Sequence, residues 1–215
     1  MNRSLPAIAL ALALAASLLG GTSAQADMDK DAAARAPIFT CDGVFTHRTF
    51  THVRVEEGAT CVLRNSTVTG NFRARHPRTV KILDTEVRRN IMIRGATRNV
   101  VIGNAGCRFD PVAGNNIKVT RSHSVAICWM TVKNNIMVRG NDGRISLFHN
   151  TVGRNIDVSR NDRYRPLPAD TTKHKRPGAI RVRKNTAGGH VRLFDNDPSR
   201  DLLGLGTNTP TPEVK

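Results

Sequence analysis

Five basic side chains recur at related places in this sequence: Arg73, Arg75, Arg94, Lys118 and Arg139. A guanidinium presents a planar fork of N–H donors that matches the two oxygens of a carboxylate or phosphate, and a lysine adds a compact charge. Set on successive strands ~4.8 Å apart, such groups would meet the repeating charges of an anionic polymer. The chemistry is recognition, not bond making. The competing view is a solvated surface whose charges keep a repetitive β protein from pairing edge to edge. Acid–base or calcium chemistry needs carboxylates that converge, whereas Asp84 and Glu86 share one corner of the pattern and Asp110, Asp142 and Asp157 fall elsewhere. No C-x-x-C or clustered histidine accompanies the four cysteines, so no metal is expected, and no cofactor motif occurs.

The residues that must position these cations form a repeat. Asn-Ile-x-Val occurs at Asn116–Val119, Asn135–Val138 and Asn155–Val158, about twenty residues apart. Between them lie second apolar pairs, Val125/Ile127 and Ile145/Leu147, and then isolated apolar residues, Val132 and Val152. Each stretch has the period of two that points alternate side chains inward, and none is long enough for a helix. The register extends upstream through Val53/Val55, Phe72/Ala74 and Ile91/Ile93, where Cys107 takes the third inward slot, and downstream to Val191/Leu193. The expected fold is therefore all-β: a single parallel β-solenoid of about six to seven coils, each of ~20 residues with three short faces.

On the first face the outward middle column reads Arg54, Arg73, Met92, Lys118, Met137, Asp157, Arg192, and the next column Glu56, Arg75, Arg94, Thr120, Arg139, Ser159, Phe194. The five cations make one patch there, and Arg88, Arg89 and Arg108 make a second basic edge at the third corner. The column before the first face, Asn71, Asn90, Asn116, Asn135 and Asn155, is expected to be a structural ladder in which stacked amides bond to one another and to the backbone. Thr67, Thr131, Thr151 and Thr186 share a column that Glu86 and Gly106 interrupt, which argues against a flat ice-binding array.

Residues 1–26 have a basic start at Arg3, an apolar run from Leu5 to Leu19 and Ala24-Gln25-Ala26, the pattern of a secretory signal. The run is short of a comfortable membrane span. The domain expectation is a flexible lead-in over 27–36 and a solenoid over 37–197. That solenoid includes an N-terminal cap at 37–52, where Phe39, Phe45 and Phe50 would plug the open end, and a Pro- and Arg/Lys-rich loop at 162–178. A C-terminal tail over 198–215 loses periodicity and reads as disordered from Asn208, with Leu202, Leu203 and Leu205 offering apolar side chains to fold back over the last coil. Arg3 is the one charge in the signal, so 32 of the 33 Lys and Arg remain against 17 Asp and Glu.

An exported protein this basic is drawn to anionic partners, such as envelope phosphate polymers or acidic polysaccharide. Nucleic acid is a minor option, because one Trp and one Tyr leave few stacking platforms. Secretion permits disulfides. Cys41 and Cys61 would sit one above the other on adjacent coils, and Cys107 with Cys128 is a second pair, although Cys128 follows Ile127 and should point outward.

The segment Asn150-Thr-Val-Gly-Arg-Asn-Ile-Asp-Val-Ser-Arg-Asn161 resembles the repeats of right-handed parallel β-helix proteins, in particular small secreted bacterial ones, and the resemblance spans roughly 53–196. It implies the right-handed fold. The same fold houses pectate-lyase-like enzymes, so the resemblance also implies an enzyme alternative, a polysaccharide lyase or hydrolase. Such lyases hold calcium between carboxylates on adjacent coils, a grouping this register does not provide.

Overall fold

A computed structural model describes residues 37–103, 112–161, 179–196, 202–203 and 205–214. Nearly all of the regular structure is β, and among the described residues only Leu205–Thr207 makes a helical turn, of the 3₁₀ kind. Three parallel sheets of nine, eight and seven strands are stacked so that each strand pairs with the third strand along the chain, except that the last, Glu213–Val214, pairs with the second before it. This regular stacking is consistent with a β-solenoid.

The first sheet contains Phe72–Arg75, Ile91–Arg94, Ile117–Thr120, Ile136–Arg139 and Ile156–Ser159 in direct register. Ile91, Ile117, Ile136 and Ile156 thus form one column, each wholly buried. The second sheet carries Val80/Ile82, Val100/Ile102, Val125/Ile127, Ile145/Leu147 and Ile180/Val182 inward, and the two-residue strands of the third add Val68, Val87, Val132 and Val152. All belong to one apolar cluster between the sheets. The pairing of Ile145 with Ile180 and of Thr151 with Thr186 carries the register across residues 162–178, which lie outside the described ones.

Each coil turns on left-handed residues that are mostly not glycine. After the first sheet these are His76, Gly95, Arg121, Gly140, Arg160 and Asp195, and after the second His47, Asn65, Asp84, Trp129, His149 and Lys184, all with φ between 45° and 71°. Such a conformation costs a side-chain-bearing residue roughly 1–2 kcal/mol, so the surrounding structure must impose it.

The next residue in each turn does this. Asn150 points into the interior and is 1% exposed. Its Oδ1 accepts from Met130 N at 3.1 Å, while its Nδ2 donates to Ile127 O at 3.0 Å and to Asn185 Oδ1 at 2.8 Å. Asn185 repeats the pattern toward Leu147 O and Asn208 Oδ1, and Ser66 and Thr85 supply hydroxyls at the same place in earlier coils. A second interior ladder runs through Ser122, Asn141, Asn161 and Asn196 at the other left-handed corner. Backbone groups that the corner removes from the sheet are satisfied by these amides.

The cap expected at 37–52 is itself the first coil of the stack, while the expectations for the C-terminal tail and for the third inward slot of one coil need correction. Ile38–Thr40, Gly43–Thr46 and Thr49–Phe50 pair in parallel with the next coil, placing Phe39, Phe45 and Phe50 at inward positions opposite Val53, Leu63 and Val68. The three rings close the core by packing on one another, with centroids 4.5 to 6.2 Å apart.

The C-terminal segment is not a disordered tail in its described part. Leu202–Leu203 pairs with Ile180–Arg181, Thr209 bridges to Thr186, and Glu213–Val214 pairs with Arg192–Leu193. The slot that marks this coil is filled by a buried amide, Asn208, which apolar periodicity cannot detect.

The third inward slot of the coil that begins at Ile91 belongs to Ala113, not Cys107. Ala113 is wholly buried and pairs with both Val87 and Val132, which puts Val112, not Gly106, into the threonine column opposite Thr131. The extra residues of this coil therefore precede Val112. Cys128, expected outward, stands out of phase with the inward Val125 and Ile127 at the end of the second-sheet strand Ser124–Cys128 and is nonetheless 5% exposed. Cys107, and with it the expected Cys107–Cys128 pair, lies outside the described residues, as do Asp110 and Arg108.

Candidate functional site

Across the outward side of the first sheet runs an open groove with a volume of about 770 Å³. All five cations singled out by spacing line it: Arg73, Arg75, Arg94, Lys118 and Arg139. Their placement follows from alternation within each strand, as in Phe72–Arg75, where Phe72 and Ala74 are buried and Arg73 and Arg75 exposed. Register then aligns them, with Arg73 beside Met92, Lys118 beside Met92 and Met137, and Arg75 beside Arg94.

Two further cations line the groove, Arg121 and Arg160, and position-by-position matching of strands missed both. Each is a left-handed corner residue, just past the strand end, and its exposed side chain leaves the corner beside the sheet edge. A signal was present in the sequence, since both follow a first-face strand by one residue at the place where the neighbouring coils carry Gly95 and Gly140.

Among the described residues the groove is electrostatically uncompensated, and no carboxylate lines it. Among the described residues Arg73, Arg75, Arg94, Lys118, Arg121 and Arg139 make no ion pair, whereas Arg160 pairs with Asp195 at 3.5 Å. Like charges one rung apart repel by about 1 kcal/mol even in water, so a run of them costs the free protein stability. Met92 sets the middle-column cations Arg73 and Lys118 two rungs apart and reduces that cost.

Beyond both ends the charge changes character. Arg54, one rung before Arg73, pairs with Glu56 at 3.7 Å. Past Met137 the column continues as Asp157, Arg192 and Glu213, and Glu213 takes both His190 at 3.3 Å and Arg192 at 3.4 Å. The other carboxylates considered for chemistry are dispersed: Asp84 at a second-sheet corner, Glu86 on the third sheet beside Arg88 at 3.1 Å, and Asp142 in a turn against His123 at 3.0 Å. No group of three or more His, Cys, Asp or Glu able to hold a metal occurs among the described residues.

The asparagine column borders the groove on the other side of the sheet. Asn90 Nδ2 donates to Asn71 Oδ1 at 3.0 Å, Asn116 Nδ2 to Asn90 Oδ1 at 3.1 Å, and Asn135 Nδ2 to Asn116 Oδ1 at 3.0 Å. Asn155 N donates to Asn135 Oδ1 at 3.1 Å. These amides are engaged with one another and with the chain. Next to them stand Arg89, Lys133 and Arg154, exposed at the third corner.

Cys41 and Cys61 are joined by a disulfide, with Cα atoms 5.5 Å apart, which staples the first coil to the second. Among the described residues no helix is long and apolar enough to cross a membrane. No protein family, no curated protein and no solved structure matches this chain.

Proposed function

We propose that this protein is a secreted binding protein, not an enzyme, wound as one right-handed parallel β-helix of about eight coils. In this reading it holds an anionic cell-envelope or extracellular polymer in the groove of its first sheet. The observation that carries the reading is the run of six exposed cations on four neighbouring strands with no acidic partner among the described residues. A merely solvated surface is better served by mixed charge, which avoids the repulsion at no loss of solubility. Tolerating the repulsion is understandable if a ligand relieves it. Export fits the apolar leader at 1–26 and the disulfide.

Binding of this kind releases counterions, so its affinity depends on salt. The test is titration of the full chain, without residues 1–26, with long-chain polyphosphate and with polygalacturonate. For about six contacts, affinity for a bound polymer is expected to fall roughly a hundred- to a thousand-fold between 50 and 200 mM salt. Absence of binding to either polymer at low salt, or affinity indifferent to salt, would contradict the proposal.

A further inference from the structure

The cations of the groove are dense and the run is short, and both properties restrict what it can hold. Arg73 and Arg75 lie on one rung, Arg94 on the next, Lys118 and Arg121 on the third, and Arg139 on the fourth. Four rungs span three intervals of ~4.8 Å, or about 14 Å. Six charges over that length exceed one per rung. An extended uronic acid chain offers about one carboxylate per rung, whereas successive phosphates of a phosphoanhydride chain lie closer together than one rung. A linear oligophosphate therefore matches the groove charge for charge, and a polyuronate leaves cations unmet.

The length limit comes from the acidic residues at either end. A chain running beyond Arg73 meets Arg54, which Glu56 already occupies. In the other direction it meets Asp157, directly beside Met137 in the middle column; the Asp157 Oδ1 is buried with no hydrogen-bond partner among the described residues. The corner cation of that rung, Arg160, is held by Asp195. The groove is thus bounded at both ends and is not a continuous track along the molecule.

Resting on the reading of the groove as a polyanion site, we infer that it is selective for a linear phosphate chain of finite length, with about six charges engaged and none gained from longer chains. Carboxylate polymers of equal charge number bind more weakly. Phosphate at this density also engages guanidinium forks through two oxygens at once, which rewards Arg over Lys at five of the six positions.

The test measures the slope of log affinity against log salt for linear phosphates of defined length, from tripolyphosphate upward, with size-matched oligogalacturonates in parallel. The slope counts released counterions and is insensitive to the statistical advantage that long chains gain from many binding frames. It is expected to rise with length and then level off at about 4 to 5, the value for roughly six contacts. At equal charge number the phosphate is expected to bind at least tenfold more tightly. Asp157→Lys should raise the plateau for long chains by about one contact while leaving tripolyphosphate unchanged. A slope that keeps climbing with length, or an oligogalacturonate that binds equally well, overturns the inference and leaves the polyanion site standing. No binding by any of these chains overturns both.

Discussion

At the scale of single residues, interior amides add to the stability that the aliphatic core provides. Asn150, which follows the left-handed His149, satisfies Met130 N and Ile127 O in the turn one coil earlier, around Trp129, left-handed at φ 56°. Replacing it by alanine strands both buried backbone groups and breaks the link to Asn185. We expect Asn150→Ala to lower the unfolding free energy by about 3 kcal/mol. The same change at Asn116, in the half-buried column, should cost about 1 kcal/mol because water can replace the lost partner. Urea denaturation of the two variants checks the order, and equal losses would show that the interior ladder is not special.

The outer asparagine column was legible in the sequence, because it recurs immediately before Ile-x-Val and the repeat draws attention to it. The interior columns were present in the same residues, Asn150-Thr-Val-Gly-Arg-Asn155 and onward to Asn161, but their slots are also filled by Ser66, Thr85, Met130 and Ser122. Spacing alone does not distinguish an inward amide from a polar turn residue. The distinguishing feature is the left-handed residue before it, and here that conformation is taken by His, Trp, Arg, Lys and Asp, none of which announces it as glycine would.

At the scale of elements, the strands were legible and the coil ends were not. Period-two alternation identified inward pairs from Val53 to Leu193. It failed at Ala113, where Cys107 offered an apolar residue at the expected spacing and the extra residues of the coil precede Val112. It failed again past Asp197, because a final coil closed by Asn208 and the pairing of Glu213–Val214 has few apolar marks. Ends are where a solenoid departs from its own pattern, since each terminal coil has a neighbour on one side only.

The first coil illustrates the consequence. It is held by the aromatic trio and by the Cys41–Cys61 bond, which closes a loop of 20 residues. Loss of such a crosslink is worth about 3 kcal/mol. Because coils contact only their neighbours, the loss should be felt locally. In the Cys41→Ala, Cys61→Ala double variant, amide exchange is expected to quicken across 38–50 and to stay unchanged across 136–158. Uniform acceleration along the chain would mean that the stack unfolds as one cooperative unit.

At the scale of the whole molecule, the excess of positive charge is legible from composition but its distribution is not. Lys and Arg outnumber Asp and Glu by 33 to 17. Cations stand at the third corner as well as in the groove, and only register and corner geometry separate a lined groove from an exposed edge. The central claim is that the first-sheet groove binds, and that charge elsewhere does not substitute for it. Two variants with the same change in net charge decide this. Arg75→Glu, Arg94→Glu and Arg139→Glu together reverse the groove, and Arg89→Glu, Lys133→Glu and Arg154→Glu together reverse the third corner. All six side chains are exposed, so both proteins should fold, which circular dichroism and the unfolding midpoint verify. Affinity for linear polyphosphate at 100 mM salt is the one measurement to make on both. The groove variant should lose binding by at least a hundredfold while the corner variant stays within about fivefold of the parent, the residual effect of net charge alone. Equal losses in the two variants, or a greater loss from the corner, would contradict the claim and leave the groove as a solvated surface.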